Sequence, residues 1–221
     1  MCARFVIKTP AAEIASEFKV QEILFDLETS FNVAPTQNIA AVINDEVNKL
    51  ISCRWGLIPP WAKDMSFASR MINARAETVA EKPSFKKPFK TSRCLIVADG
   101  FFEWHKINDK KIPVYISMKD GKPFGFAGLY SHWKPPGGES ICTCTIITTE
   151  PNELLTPIHN RMPAIVRPDQ REIWLDHEIS DEKELLPLLR SYDSDLMEAY
   201  EVSTAVNSPK NNSAENIKPV V

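Results

Sequence analysis

CLIVADGFFEW (residues 94–104) is the stretch whose reading decides the fold. An apolar run rich in β-branched residues enters Asp99-Gly100 and continues through Phe101, Phe102, Glu103 and Trp104. It reads as a strand. A carboxylate set between large aromatics is partly desolvated. Desolvation raises a carboxylic acid's pKa towards the range useful for proton transfer, which makes Glu103 a candidate acid–base group.

Similar runs lie on both sides: IAAVI (39–43), KLISCRWGLI (49–58), PVYISM (113–118), FGFAGLY (124–130) and ICTCTIIT (141–148). Asp120-Gly121 suits a hairpin turn between two of them, and KPPGG (134–138) suits a longer loop. Ala11, Ile14, Ala15 and Phe18 recur at helical spacing, so residues 10–18 read as an amphipathic helix. Past residue 148 the pattern changes. TEPNELL reads as a capped helix start. RPDQREIWL and SDEKELLPLL read as two more helices, the second interrupted by Pro187, and YEVSTAV as a last strand. Residues 208–221 are polar with little to bury and are expected to be disordered or loosely docked. The sum is one α/β (α+β) domain over residues 1–207, with a mainly antiparallel, barrel-like core and peripheral helices. Strands do not alternate regularly with long helices, so a doubly wound parallel sheet is not expected.

The chain has 221 residues and a net charge of −3, so nucleic-acid binding would need a local patch. No apolar run is long enough for a membrane span, and no secretory signal is visible. Five cysteines, an odd number with no CxxC pair, argue for free thiols in a reducing, cytoplasmic setting. Cys142, Cys144 and Ile146 are expected on one face of a strand, not around a metal. No metal or organic cofactor is indicated. No heptads are present, and a monomer is expected.

Several segments spend unusual residues where a fold does not need them. MCARF opens with a cysteine behind the initiator methionine. Methionine is removed when the second residue is small, which would leave Cys2 with an amine and a thiol on adjacent carbons. In WGLIPPWA (55–62), Trp55 suits the core, and Trp61, after a rigid double proline, suits stacking on a base. In MINARAET (71–78), an extended backbone would point Asn73 and Arg75 the same way, suiting a sugar–phosphate contact. EKPSFKKPFKTSR (81–93) sets Lys82, Lys86, Lys87, Lys90 and Arg93 against Glu81, with Phe85 and Phe89 interleaved, and reads as a phosphate-attracting surface. In IHNRMPAIV (158–166), His159 has a side chain whose pKa lies near neutrality. His105, His132 and His177 have no such company.

Taken in order, MCAR, NVAPTQ (32–37), WGLIPPWA, NARAET (73–78), CLIVADGFFEW, FAGLY, IHNRMPAIV and VSTAVN (202–207) resemble the SOS-response-associated peptidase family, whose members are also called abasic-site processing proteins. The resemblance covers residues 1 to about 207. It implies a protein that shields abasic sites in single-stranded DNA by covalent crosslinking, on an α/β domain with a basic groove. It puts the nucleophile on Cys2, the catalytic amide on Asn73, the acidic residue on Glu103 and the histidine on His159. It puts DNA-contacting arginines on Arg4, Arg75 and Arg161. Asn32, Pro35, Trp61, Lys87 and Trp104 complete the DNA-binding candidates, and replication-fork proteins are further candidate partners. Two positions depart from the family pattern: Ala3 stands where many relatives have glycine, and Asn160 where they often have aspartate. The alternatives are a cysteine peptidase acting on its own N-terminus and a non-covalent single-strand binding module.

Overall fold

The chain bends at Asp99, so residues 94–104 form two strands in two different sheets, not one strand. The computed structural model describes residues 2–220. The expected removal of Met1 concerns a residue outside that range. In chain order the described strands are β1 (Phe5–Ile7), β2 (Glu22–Ile23), β3 (Ser30–Val33), β4 (Asn38–Asp45), β5 (Val47–Trp55), β6 (Asn73–Arg75), β7 (Arg93–Ala98), β8 (Gly100–Ile107), β9 (Lys110–Met118), β10 (Phe124–Trp133), β11 (Ile141–Thr149), β12 (Met162–Pro163), β13 (Ile165–Val166) and β14 (Met197–Glu201). The α-helices are α1 (Ala11–Glu17), α2 (Pro83–Thr91), α3 (Arg171–Leu175) and α4 (Glu182–Leu185).

β7 belongs to a five-stranded barrel closed in the order β4-β5-β11-β10-β7. All its pairings are antiparallel except the β5–β11 seam, which is parallel. β8 belongs to a second, antiparallel sheet ordered β14-β9-β8-β1-β3. The bend between them has a cause in side-chain chemistry. The Asp99 carboxylate accepts the Lys8 and Thr9 N–H groups at 2.6 and 3.0 Å and the Thr9 hydroxyl at 2.5 Å, tying the bend to the chain after β1. Gly100 is required by close approach, because a Cβ there would lie 2.3 Å from the Tyr115 hydroxyl. The two sheets share a core in which Phe5 meets Trp55 and Phe126 at ring separations of 5.2 and 6.0 Å, and Phe101 meets Phe126 at 5.8 Å.

Other expectations change with the topology. Asp120-Gly121 makes a turn, with Gly121 at φ +70°, but β9 and β10 lie in different sheets and form no hairpin. TEPNELL does not become a helix. Asn152 caps a turn by accepting the Leu155 N–H at 3.0 Å, and Pro157, which has no N–H, stops propagation. YEVSTAV leaves the sheet after Glu201, where Ser203 caps a 3₁₀ turn over Thr204–Asn207. The tail is docked, not disordered. Asn212 Oδ1 accepts the Phe31 N–H at 2.7 Å, Ile217 O accepts the Tyr200 hydroxyl at 2.9 Å, and the Asn216 side chain is buried. Its asparagines serve backbone groups, a job that composition does not reveal.

The thiols are not all free either. Cys53 and Cys142 form a disulfide with Cα atoms 4.8 Å apart. Thr143 pairs with Arg54 across the seam, so the two cysteines are side by side although 89 residues apart in sequence. The basic segment 81–93 is largely helix. Phe85 and Phe89 face inward while Lys86 and Lys87 remain exposed. Arg93 leaves the basic surface altogether. It is buried and donates to the carbonyls of Phe89, Lys90, Trp174, Asp176 and Ile179, satisfying groups at the C-terminal ends of α2 and α3. No helix of the described residues is long and apolar enough to cross a membrane.

Candidate active site

β1 and β8 run antiparallel with Phe5 opposite Phe101 and Val6 opposite Gly100. The Phe102 N–H donates to Arg4 O at 3.0 Å, so the residues before β1 continue alongside Phe102 and Glu103. Alternation along β8 sends Phe101 towards the barrel and Phe102 to the opposite face, against Tyr115. Glu103 shares the barrel-facing parity and is buried. Cys2 is fully buried and joins the core that holds Phe101.

Asn73 comes from the barrel side. It opens β6, which lies parallel to β11 with Asn73 opposite Ile146. Its Nδ2 donates to Cys2 O at 2.8 Å. Its Oδ1 is buried and has no hydrogen-bond partner among the described residues. Asn73 therefore holds the backbone of Cys2 and keeps one acceptor for a donor from elsewhere.

Burial sets the protonation states. It pushes the Cys2 thiol well above its ordinary range, and the neighbouring Glu103 charge adds to this, so the sulfur carries its proton at neutral pH. Burial also raises Glu103, to about 7. His159 is lowered, chiefly by burial, and is neutral near pH 7. Its Nδ1 lies 3.1 Å from the N–H and 3.2 Å from the C=O of Arg161. Nδ1 accepts from that N–H when it is unprotonated and donates to that C=O when it carries the ring proton. The site thus sets a protonated Cys2 thiol beside a carboxyl raised to about 7, with an uncharged imidazole contributed by His159.

The expected DNA contacts divide into three groups. Arg75 is exposed on β6, and Trp61 is 59% exposed, edge-on to Phe67 at 5.4 Å. Trp61 and Lys87 line one pocket of about 600 Å³ with Pro59, Pro60, Tyr130 and His132. Arg161 is largely enclosed. Its guanidinium meets Glu77 at 2.5 and 3.0 Å and Thr148 O at 2.5 Å. Arg4, Asn32 and Trp104 lie against the C-terminal segment. Arg4 donates to Asn32 Oδ1 and Val206 O at 2.7 Å each, and Trp104 Nε1 to Asn207 Oδ1 at 2.7 Å. Asn32 is 1% exposed, and its amide donates to Val206, Ser208 and Asn211 carbonyls. The direct DNA contact expected of Asn32 does not fit this burial. Its side chain fastens the C-terminal segment to β3. Pro35 is half-buried in the turn between β3 and β4.

Sequence reasoning missed Glu77 and Thr148. Glu77 sits inside NARAET, but its partner Arg161 is 84 residues away and nothing local signals the pair. No group of three or more His, Cys, Asp or Glu side chains among the described residues is placed to hold a metal ion.

With this geometry in place, the chain can be set beside known proteins. The family profile described as SOS response associated peptidase (SRAP) matches residues 1–209. "Abasic site processing protein YoqW" of Bacillus subtilis (strain 168) is 50% identical over 222 residues, covering 99% of each chain. "Abasic site processing protein YoaM" of the same organism is 49% identical, covering 97% of this chain and 96% of its own. A crystal structure of a protein from Bacteroides thetaiotaomicron superimposes with a TM-score of 0.89 at 28% identity, covering both chains completely.

Proposed function

This chain belongs to the SOS response associated peptidase family, and from that premise we propose that it processes abasic sites in single-stranded DNA by bonding to them covalently through Cys2. The observation that carries the reading is the 2.8 Å bond from Asn73 to the Cys2 carbonyl, which fixes a buried thiol beside a buried carboxyl. The relatives' names support the substrate class.

The chemistry follows from the groups present. An abasic site equilibrates with an open-chain aldehyde, which neutral amines attack. A terminal amine has a pKa of about 7.7–8.0 against about 10.4 for lysine, so near neutral pH roughly a quarter of such termini are neutral, against about one lysine in a thousand. With Met1 gone, the Cys2 amine condenses with C1′ and water leaves. The sulfur then adds to C1′ of the imine and closes a five-membered thiazolidine. The ring nitrogen ends with the proton that the sulfur gives up. Because Cys2 is held protonated, that transfer needs a relay, and Glu103 is poised for it near neutral pH. His159 serves in proton transfer at the sugar ring oxygen during ring opening. Asn73 Oδ1 accepts a sugar hydroxyl. Ring closure is intramolecular and gains a large effective molarity. Exposed Arg75, Trp61 and Lys87 hold the flanking strand by charge and stacking. The protein acts as a cytoplasmic monomer in this reading.

The test mixes purified protein with a single-stranded oligonucleotide bearing one abasic site, followed by a denaturing gel and intact-mass spectrometry. The expected result is a band that survives denaturant, lacks the mass of Met1 and is absent with Cys2→Ala. A protein confirmed to lack Met1 that gives no such band would overturn the proposal.

A further inference from the structure

We propose that Glu77 is a positioning residue for this chemistry, locking the segment that carries His159 against the strand that carries Asn73 by way of Arg161. The inference rests on the functional reading above for the reaction it serves, and on geometry alone for the lock. Asn73 opens β6, and Glu77 follows four residues later, in the 3₁₀ turn Ala76–Thr78. His159 lies two residues before Arg161. The bidentate Glu77–Arg161 pair therefore joins the chain just past one catalytic side chain to the chain just past another.

The clamp has a second anchor. Arg161 also donates to Thr148 O, while the Thr148 hydroxyl donates to Ala74 O at 3.3 Å, next to Asn73. Arg161 in turn frames the imidazole, its backbone N–H and C=O both lying against Nδ1 of His159. Any movement of Arg161 relative to β6 is thus transmitted to the tautomer and direction of His159.

Charge makes the lock strong in one direction. The Arg161 side chain is 15% exposed, and Glu77 is its salt-bridge partner. Glu77 is held below the usual carboxylate range, first by its hydrogen bond from Arg161. Removing the carboxylate leaves a mostly enclosed cation without its counter-charge, which costs far more than the pair itself contributes. The guanidinium would then swing towards water and drag residues 159–161 with it. A phosphate clamp would behave in the opposite way, since freeing Arg161 from Glu77 would improve its hold on DNA.

Glu77→Gln keeps the shape and removes the charge, so it separates these cases. Three quantities are measured: the crosslinking rate on the abasic oligonucleotide, the affinity for the same oligonucleotide with intact bases, and the imidazole ¹⁵N signals of His159 in the free protein. The expected result is a rate reduced roughly tenfold to a hundredfold, an affinity unchanged or raised, and a displaced Nδ1 signal. Glu77→Asp, which retains the charge, is expected to fall between Glu77→Gln and wild type and serves if Glu77→Gln folds poorly. A wild-type rate with an unmoved Nδ1 signal overturns the proposal. Rate and affinity rising together also overturn it, and make Glu77 a competitor of phosphate. If the wild-type protein itself forms no crosslink, the functional reading fails. The Nδ1 signal then decides the lock alone, a moved signal keeping it and an unmoved one removing it.

Discussion

Cys2 and Cys94 are both fully buried thiols, one in the N-terminal arm and one in the barrel wall. Burial raises both far above the ordinary thiol range. For Cys94 burial is the whole cause, and its sulfur packs so closely on Gly128 that a Cβ there would lie 2.9 Å away. Around Cys2 the protein also buries Glu103, and it holds the Cys2 carbonyl with Asn73. Equal burial thus yields a plain packing group in one region and a thiol with a buried carboxyl beside it in the other. A buried thiol becomes useful when something buried with it can take its proton.

The sharpest way to break this contrast is to exchange the two losses. Cys2→Ala is expected to abolish the denaturant-resistant DNA adduct, and Cys94→Ala to leave its yield intact while lowering the melting temperature; a gel and a thermal melt on each variant check both. An adduct that depends on Cys94 would end the distinction. Next in size are the companions of Cys2. Glu103→Gln is expected to slow crosslinking about a hundredfold, the scale of a lost acid–base group. Asn73→Ala and His159→Ala should each slow it by roughly tenfold or more. Single-turnover time courses on the gel give these rates, and unchanged rates in all three would remove the assignment.

A smaller effect concerns stability and sharpens the electrostatic half of the comparison. Glu103 is raised by burial from 4.5 to about 7. Between those values the native state keeps a proton that the unfolded chain releases, so its contribution to stability is present below about pH 4.5 and is lost as pH rises through about 7. Glu103→Gln has no such loss. Its melting temperature relative to wild type should climb from pH 5 to pH 8, and a constant difference would contradict a desolvated carboxyl. The smallest expected effect lies on α2. Lys86→Ala and Lys87→Ala should each weaken binding to intact single strands a few-fold and make the salt dependence shallower by about 0.7 in log–log slope, measured by titration at several salt concentrations.

Much of this was legible in the sequence, for reasons that differ by region. Runs such as IAAVI and FGFAGLY announce β4 and β10 because a buried strand needs many adjacent apolar residues. Trp55 and Trp61 were separable, buried and exposed, because a double proline stands between them. Glu103 was legible because its aromatic neighbours lie beside it in the chain. What escaped depends on distant partners. The Cys53–Cys142 bond exists because β5 and β11 meet at the barrel seam. The role of Arg93 depends on carbonyls from two helix ends. The break inside CLIVADGFFEW escaped because the bend is fixed by Lys8 and Thr9, which donate to Asp99 from some ninety residues away. The docking of the polar tail also depends on distant partners, since its asparagines answer backbone groups in β3 and the 3₁₀ turn after β14.

That tail imposes an order in time. Arg4, two residues from Cys2, is anchored to Val206 across 202 residues of chain, and Asn32 to Ser208 and Asn211. During synthesis the first residues leave the ribosome long before these partners have been made. The N-terminal arm therefore gains its anchor only after residues 206–211 have been made, and a product truncated before residue 206 would carry Cys2 without the fastening that holds its arm in place.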